Sequence, residues 1–151
     1  PNGAAHAADF INGCLHLAEL PSHPVAAHDM DLFHTVATVS VPEEIQIRFD
    51  DGENKPVENN EICFLSDLDH LNFHELDAGI CLGFVDPERT DIPLQVIDEQ
   101  GEDVTEQFFC LRDGQLQTAR EVMPSMFTLD IEVIRQDCLG YLMERMDWQS
   151  L

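Results

Sequence analysis

Basic side chains are what this sequence most lacks. It has 30 Asp and Glu against 7 Lys and Arg, for a net charge of −23 over 151 residues. Lys55 is the one lysine, and the arginines are Arg48, Arg89, Arg112, Arg120, Arg135 and Arg145. Charged residues still make up 25% of the chain, an ordinary share. The imbalance therefore comes from missing bases rather than from crowded charge. Most carboxylates have no base to pair with. The resulting negative field repels nucleic-acid backbones and anionic membranes and attracts cations and basic protein surfaces. Direct binding to nucleic acid is excluded on this ground.

Other absences narrow the field further. No apolar run approaches the roughly 18 residues of a membrane span. Residues 1–10 have neither a basic stretch nor an apolar one, so no secretory signal is expected within them. Paired cysteines are missing too. Cys14, Cys63, Cys81, Cys110 and Cys138 stand singly, mostly beside apolar neighbours. That arrangement points to buried thiols in a reducing compartment, and so to a cytoplasmic protein, rather than to a disulfide framework. Neither G-x-S-x-G, a Walker motif nor Gly-x-Gly-x-x-Gly occurs. Apolar surroundings in an acidic molecule raise thiol pKa values and blunt the cysteines as nucleophiles. The sequence assigns no catalytic residue and no cofactor, and leans away from an enzyme.

What is present is enough for a core. Hydrophobic residues make up 44% of the chain, nine of them Phe, which separates it from acidic disordered chains. The length suits one domain over residues 1–151. Residues 1–34 read as irregular or helical. Asp9 offers a cap for a helix through Ile11, Cys14, Leu15 and Ala18, while Asn12-Gly13 is a turn signal with Leu15 and Leu17 alternating beyond it. Pro21 and Pro24 interrupt either arrangement.

Residues 35–119 read as a β-rich body. Ala37, Val39 and Val41 alternate with polar residues, as do Ile45, Ile47 and Phe49 after Pro42-Glu43-Glu44. The pattern predicts an antiparallel hairpin with one solvated face. Further strands are expected at 62–65, 80–85, 94–97, 104–111 and 115–119. Ser66 and Asp69 suggest a capped short central helix, stopped at Gly79. Ile131, Ile134, Cys138 and Leu142 recur at helical spacing behind the cap residue Thr128, which predicts a long C-terminal helix over 128–148. The fold class expected is α+β. It comprises a mostly antiparallel sheet of about five to six strands, with the C-terminal helix and the short central helix packed on one face.

Four constellations are candidates for function. Acids crowd into 41–61 and 81–107, and Glu43, Glu44, Asp50, Asp51, Asp98, Glu99, Glu102 and Asp103 are the expected partner-binding residues. Asp67, His70 and His74 would share one helix face, a weak zinc-like set, since no Glu follows the first His. Residues 50–61 offer Asp50, Asn54, Glu58 and Glu61 at EF-hand spacing. Gly52 replaces a ligand there, and Lys55 stands where the turn glycine belongs. Met123, Met126, Met143 and Met146 flank the last helix, as core filling or as a docking stripe.

Three functions follow in order. The first is a non-catalytic regulatory or inhibitory module that binds a basic protein surface, with carboxylates imitating a nucleic-acid backbone. The second is acidity as an adaptation to salt or for solubility. The third is a metal protein or enzyme using Asp67, His70 and His74. A homodimer stays open.

Overall fold

A computed structural model of the chain describes residues 3–16, 31–50, 52 and 56–146. The chain divides into two units, Pro1–Asp31 and Leu32–Leu151. In the first, helix α1 spans Gly3–Leu15 and continues through Asn12-Gly13, so no turn forms there; Asp9 lies inside the helix rather than capping it, and Ala18 falls outside the described residues. Phe10 and Leu15 are exposed on it.

The second unit contains, in chain order, β1 (Phe33–Ser40), β2 (Gln46–Phe49), β3 (Glu61–Phe64), a single 3₁₀ turn (Leu68–Leu71), β4 (Cys81–Phe84), β5 (Gln95–Asp98), α2 (Thr105–Phe108), β6 (Phe109–Arg112), β7 (Gln115–Thr118), β8 (Met123–Ser125), α3 (Ile131–Gln136) and β9 (Gly140–Arg145). These strands form two sheets. One has the order β5-β1-β9-β8 and is antiparallel throughout; the other has the order β2-β3-β4-β7-β6. In the second sheet β2 runs parallel to β3 and the remaining pairs are antiparallel. Val39, Val96 and Leu142 from the first sheet join Ile62, Phe64, Leu82 and Leu116 from the second in one hydrophobic core.

The expected single sheet with helices on one face is therefore overturned: the protein is mostly β, in two sheets. The alternation of Ala37, Val39 and Val41 does mark inward-facing residues. Their expected hairpin with Ile45–Phe49 does not form. Both edges of β1 are taken, by β5 and β9. The turn at Pro42–Ile45 instead carries the chain from one sheet into the other. The Arg135 guanidinium fastens that crossing by donating to the carbonyls of Val41, Pro42 and Ile45.

The long C-terminal helix is the second correction. Among the described residues of that segment only Ile131–Gln136 is helical, capped by Asp130, whose carboxylate accepts from the N–H groups of Glu132 and Val133. Thr128, the expected cap, instead accepts from the Asp130 N–H. The chain then enters β9, between β1 and β8. Gly140 decides this. A Cβ at that position would lie 2.5 Å from Phe127 Cδ1 and 2.8 Å from the Ser125 carbonyl oxygen, so only glycine lets the strand seat against its neighbour. The central helix also shrinks, to the four-residue 3₁₀ turn at Leu68–Leu71, where the Asp67 side chain makes no capping bond. The strand expected at 104–111 splits into α2 and β6.

Gly140→Ala should destabilise the fold by about 3 kcal/mol, because the backbone atoms facing the new methyl cannot move aside cheaply. Urea unfolding of the two proteins measures this.

Candidate functional site

The register of the first sheet separates the expected partner-binding acids. Ser40 lies opposite Gln95 and Ala37 opposite Asp98. Glu43 and Glu44, which follow Ser40, thus leave one end of the β1–β5 ladder, and Asp98, Glu99, Glu102 and Asp103 gather at the other. Asp50 ends β2 in the second sheet, where its N–H donates to the Phe64 carbonyl and its carboxylate accepts from Gly52 N–H. Asp51 lies outside the described residues, as do Asn54 and Lys55 of the EF-hand-like spacing. Of the eight acids, the structure brings together four, on the arm that follows β5.

Two of those four build the arm. The Asp98 carboxylate accepts from the N–H groups of Gln100 and Glu102, both at 2.9 Å, and Asp98 N–H donates to the Glu102 carbonyl. Gly101, at φ +84°, supplies the left-handed residue this tight return needs. Asp103 accepts from the Thr105 hydroxyl at 2.6 Å and from the Thr105 N–H at 3.0 Å. The same hydroxyl accepts from Val96 N–H, tying the arm back to the strand edge. The Thr105 hydrogen bonds hold the Asp103 carboxyl below the usual carboxylate range.

Glu99 and Glu102 are exposed, and α2 adds exposed Glu106 to the same arm. No Lys or Arg occurs from residue 90 to 111. Beside the arm lies an open cleft of about 490 Å³ lined by Ile92, Leu94, Val104 and the carboxylates of Asp91, Asp103 and Glu106. Sequence reasoning missed Glu106, although its place three residues after Asp103 suits one helical turn.

Five of the six arginines make side-chain contacts within the protein, and Arg112 is exposed. Arg48 pairs with Glu61, which takes that carboxylate out of any EF-hand-like arrangement. Arg89 pairs with Asp91 and donates to the Asn59 carbonyl. Arg120 pairs with Glu144 and lies over the Phe108 ring; Arg145 pairs with Glu75 and lies over Phe33. Arg135 serves the carbonyls of the sheet crossing. Little positive charge is left to neutralise the exposed acids.

The zinc-like set does not assemble. Among the described residues, no group of three or more His, Cys, Asp and Glu could hold a metal ion. His70 lies on the 3₁₀ turn, but the chain leaves helical geometry at Asn72 (ψ 131°) and Phe73 (φ 63°), so His74 is no longer one helical turn from it. The His74 ring Nδ1 instead lies 3.1 Å from the Asn72 carbonyl. All five cysteines are free thiols, and burial pushes those of Cys81 and Cys138 above the ordinary value. No helix among the described residues is long and apolar enough to cross a membrane.

A second exposed feature includes one of the four methionines singled out in the sequence: Met126 is exposed, whereas Met123 is buried. The Asn72 side chain donates to the Phe127 carbonyl at 2.8 Å and accepts from the Phe127 N–H at 2.7 Å, while Phe73 N–H donates to the Pro124 carbonyl. These bonds lay 72–73 against 124–127. Phe73 and Met126 both stand there with positive φ, at 63° and 57°.

The Asp103 arrangement has a pH signature. A carboxyl whose folded pKa is lowered contributes stability that is complete above the unfolded value, about 3.9, and is lost as pH falls through the folded value. Asp103→Asn should therefore be less stable than the parent at neutral pH, and the gap should shrink as acid is added. Urea midpoints from about pH 7 down to about pH 2 follow this. Comparison of the chain with protein-family models, with curated proteins and with solved structures yields no match.

Proposed function

We propose that this chain is a non-catalytic regulatory or inhibitory module that engages a basic protein surface through the acidic arm after β5. The observation that carries the reading is an arm whose Glu99, Glu102 and Glu106 are exposed with no Lys or Arg between residues 90 and 111, while Arg120 and Arg145 are paired with Glu144 and Glu75. Carboxylates so presented can stand in for the phosphates that a basic partner otherwise meets. The long-range field gives fast, salt-sensitive association. Free thiols are consistent with a reducing, cytoplasmic setting for it. In narrowed form, Glu99, Glu102 and Glu106 contact the partner, Asp98 and Asp103 hold the arm in shape, and Glu43, Glu44 and Asp50 contribute only to the general field.

Polylysine binding at low ionic strength tests this. The parent should bind, and Glu99→Gln, Glu102→Gln and Glu106→Gln together should weaken binding about tenfold while leaving the melting temperature within a few degrees. Affinity should fall steeply as salt rises. No binding at low salt removes the basic-partner reading. Undiminished binding by the triple variant removes the arm's role. A melting temperature that climbs continuously into molar salt, with undiminished binding, indicates adaptation to salt instead.

A further inference from the structure

Phe73 and Met126 are 64% and 67% exposed, so neither gains much from the core. Both occupy left-handed backbone, where any residue with a Cβ is disfavoured and glycine is not. The Asn72–Phe127 bonds hold the two loops side by side. Glycine would satisfy the backbone at both positions. Two large apolar side chains stand there instead, on neighbouring backbone segments and directed to solvent. Strain kept without a packing return marks a site that acts on something outside the fold.

The charges on the flanking chain segments indicate what that is. Residues 66–79 and 124–134 contain Asp67, Asp69, Glu75, Asp77, Asp130 and Glu132 and no Lys or Arg. Arg145, which approaches from β9, is held by Glu75. A second copy of a chain with net charge −23 would bring like charge against like charge around the apolar contact, so self-association is the disfavoured occupant. We propose that Phe73 and Met126 anchor a basic amphipathic segment of a partner protein, its apolar side seated on the pair and its Lys and Arg facing the surrounding carboxylates. This rests on the basic-partner reading above and adds a contact that salt does not screen.

Two peptide probes of equal positive charge separate the contributions: polylysine, and an amphipathic helix of Leu and Lys. The full-length chain should bind the Leu–Lys peptide more tightly. It should retain that peptide at about 0.5 M salt, where the Debye length has shrunk to a few ångströms and polylysine is released. Phe73→Ser with Met126→Ser should cost the Leu–Lys peptide about tenfold in affinity and leave polylysine unaffected. Phe73→Gly with Met126→Gly should lose the same binding while melting no lower than the parent, since the backbone penalty is relieved. The anchor is overturned if the Leu–Lys peptide binds the parent and both double variants alike. It is also overturned if the glycine variant melts well below the parent, which would make the pair structural. Sedimentation of a parent dimer that these substitutions disperse overturns it in favour of a second copy. Failure of both peptides to bind the parent at low salt ends this proposal and the basic-partner reading together. Polylysine binding that depends on Glu99, Glu102 and Glu106, with a Leu–Lys peptide indifferent to Phe73 and Met126, ends the anchor alone.

Discussion

The close pass of Gly140 over Phe127 and the Ser125 carbonyl is the contact on which the second unit depends. It lets β9 lie between β1 and β8 and so complete the four-stranded sheet. Leu139 just before it donates to the Val39 carbonyl and accepts from Thr128 N–H, which locks the strand's entry to both sides. Phe127, buried under Gly140, is also the residue whose backbone the Asn72 amide grips. One absent methyl group thus connects the closing of a sheet to the loop geometry that holds Phe73 and Met126 at the surface.

The acidity imposes a second constraint. Unpaired carboxylates repel one another and oppose compaction, so the core must outweigh that repulsion as well as chain entropy. Several arginines join segments remote in sequence. Arg135 binds carbonyls at the sheet crossing, and Arg120 and Arg145 join an acid to an aromatic ring. Arg120 and Arg145 each neutralise an acid elsewhere in sequence than the arm. The same scarcity that strains the fold leaves the arm after β5 uniformly negative.

Strand positions were legible in the sequence where alternation was clean, as in Ala37, Val39 and Val41, because period-two burial follows from the pleat itself. Strand partners were not. A four-residue turn at Pro42–Ile45 is equally compatible with a hairpin and with a passage between sheets, and the choice depends on β5 and β9 from far along the chain. The C-terminal segment misled for a related reason. Ile134, Cys138 and Leu142 satisfy helical spacing, yet Cys138 and Leu142 are buried in a connection and a strand. Gly140 was the visible sign against a helix there. Among the acids, whether Glu43 and Asp98 share an end of the sheet required the register.

Composition alone determined the net charge, the scarcity of bases, the single cysteines and the apolar content sufficient for a core, since each is a sum over residues that no folding can alter. Tertiary structure decided which charges stay exposed, which arginines are consumed, and which apolar side chains are left outside. Those outcomes depend on contacts between residues remote in sequence: Asn72 with Phe127, Arg145 with Glu75, Arg135 with Val41. Local pattern has no access to such pairs, because they exist only once two sheets have closed on one core.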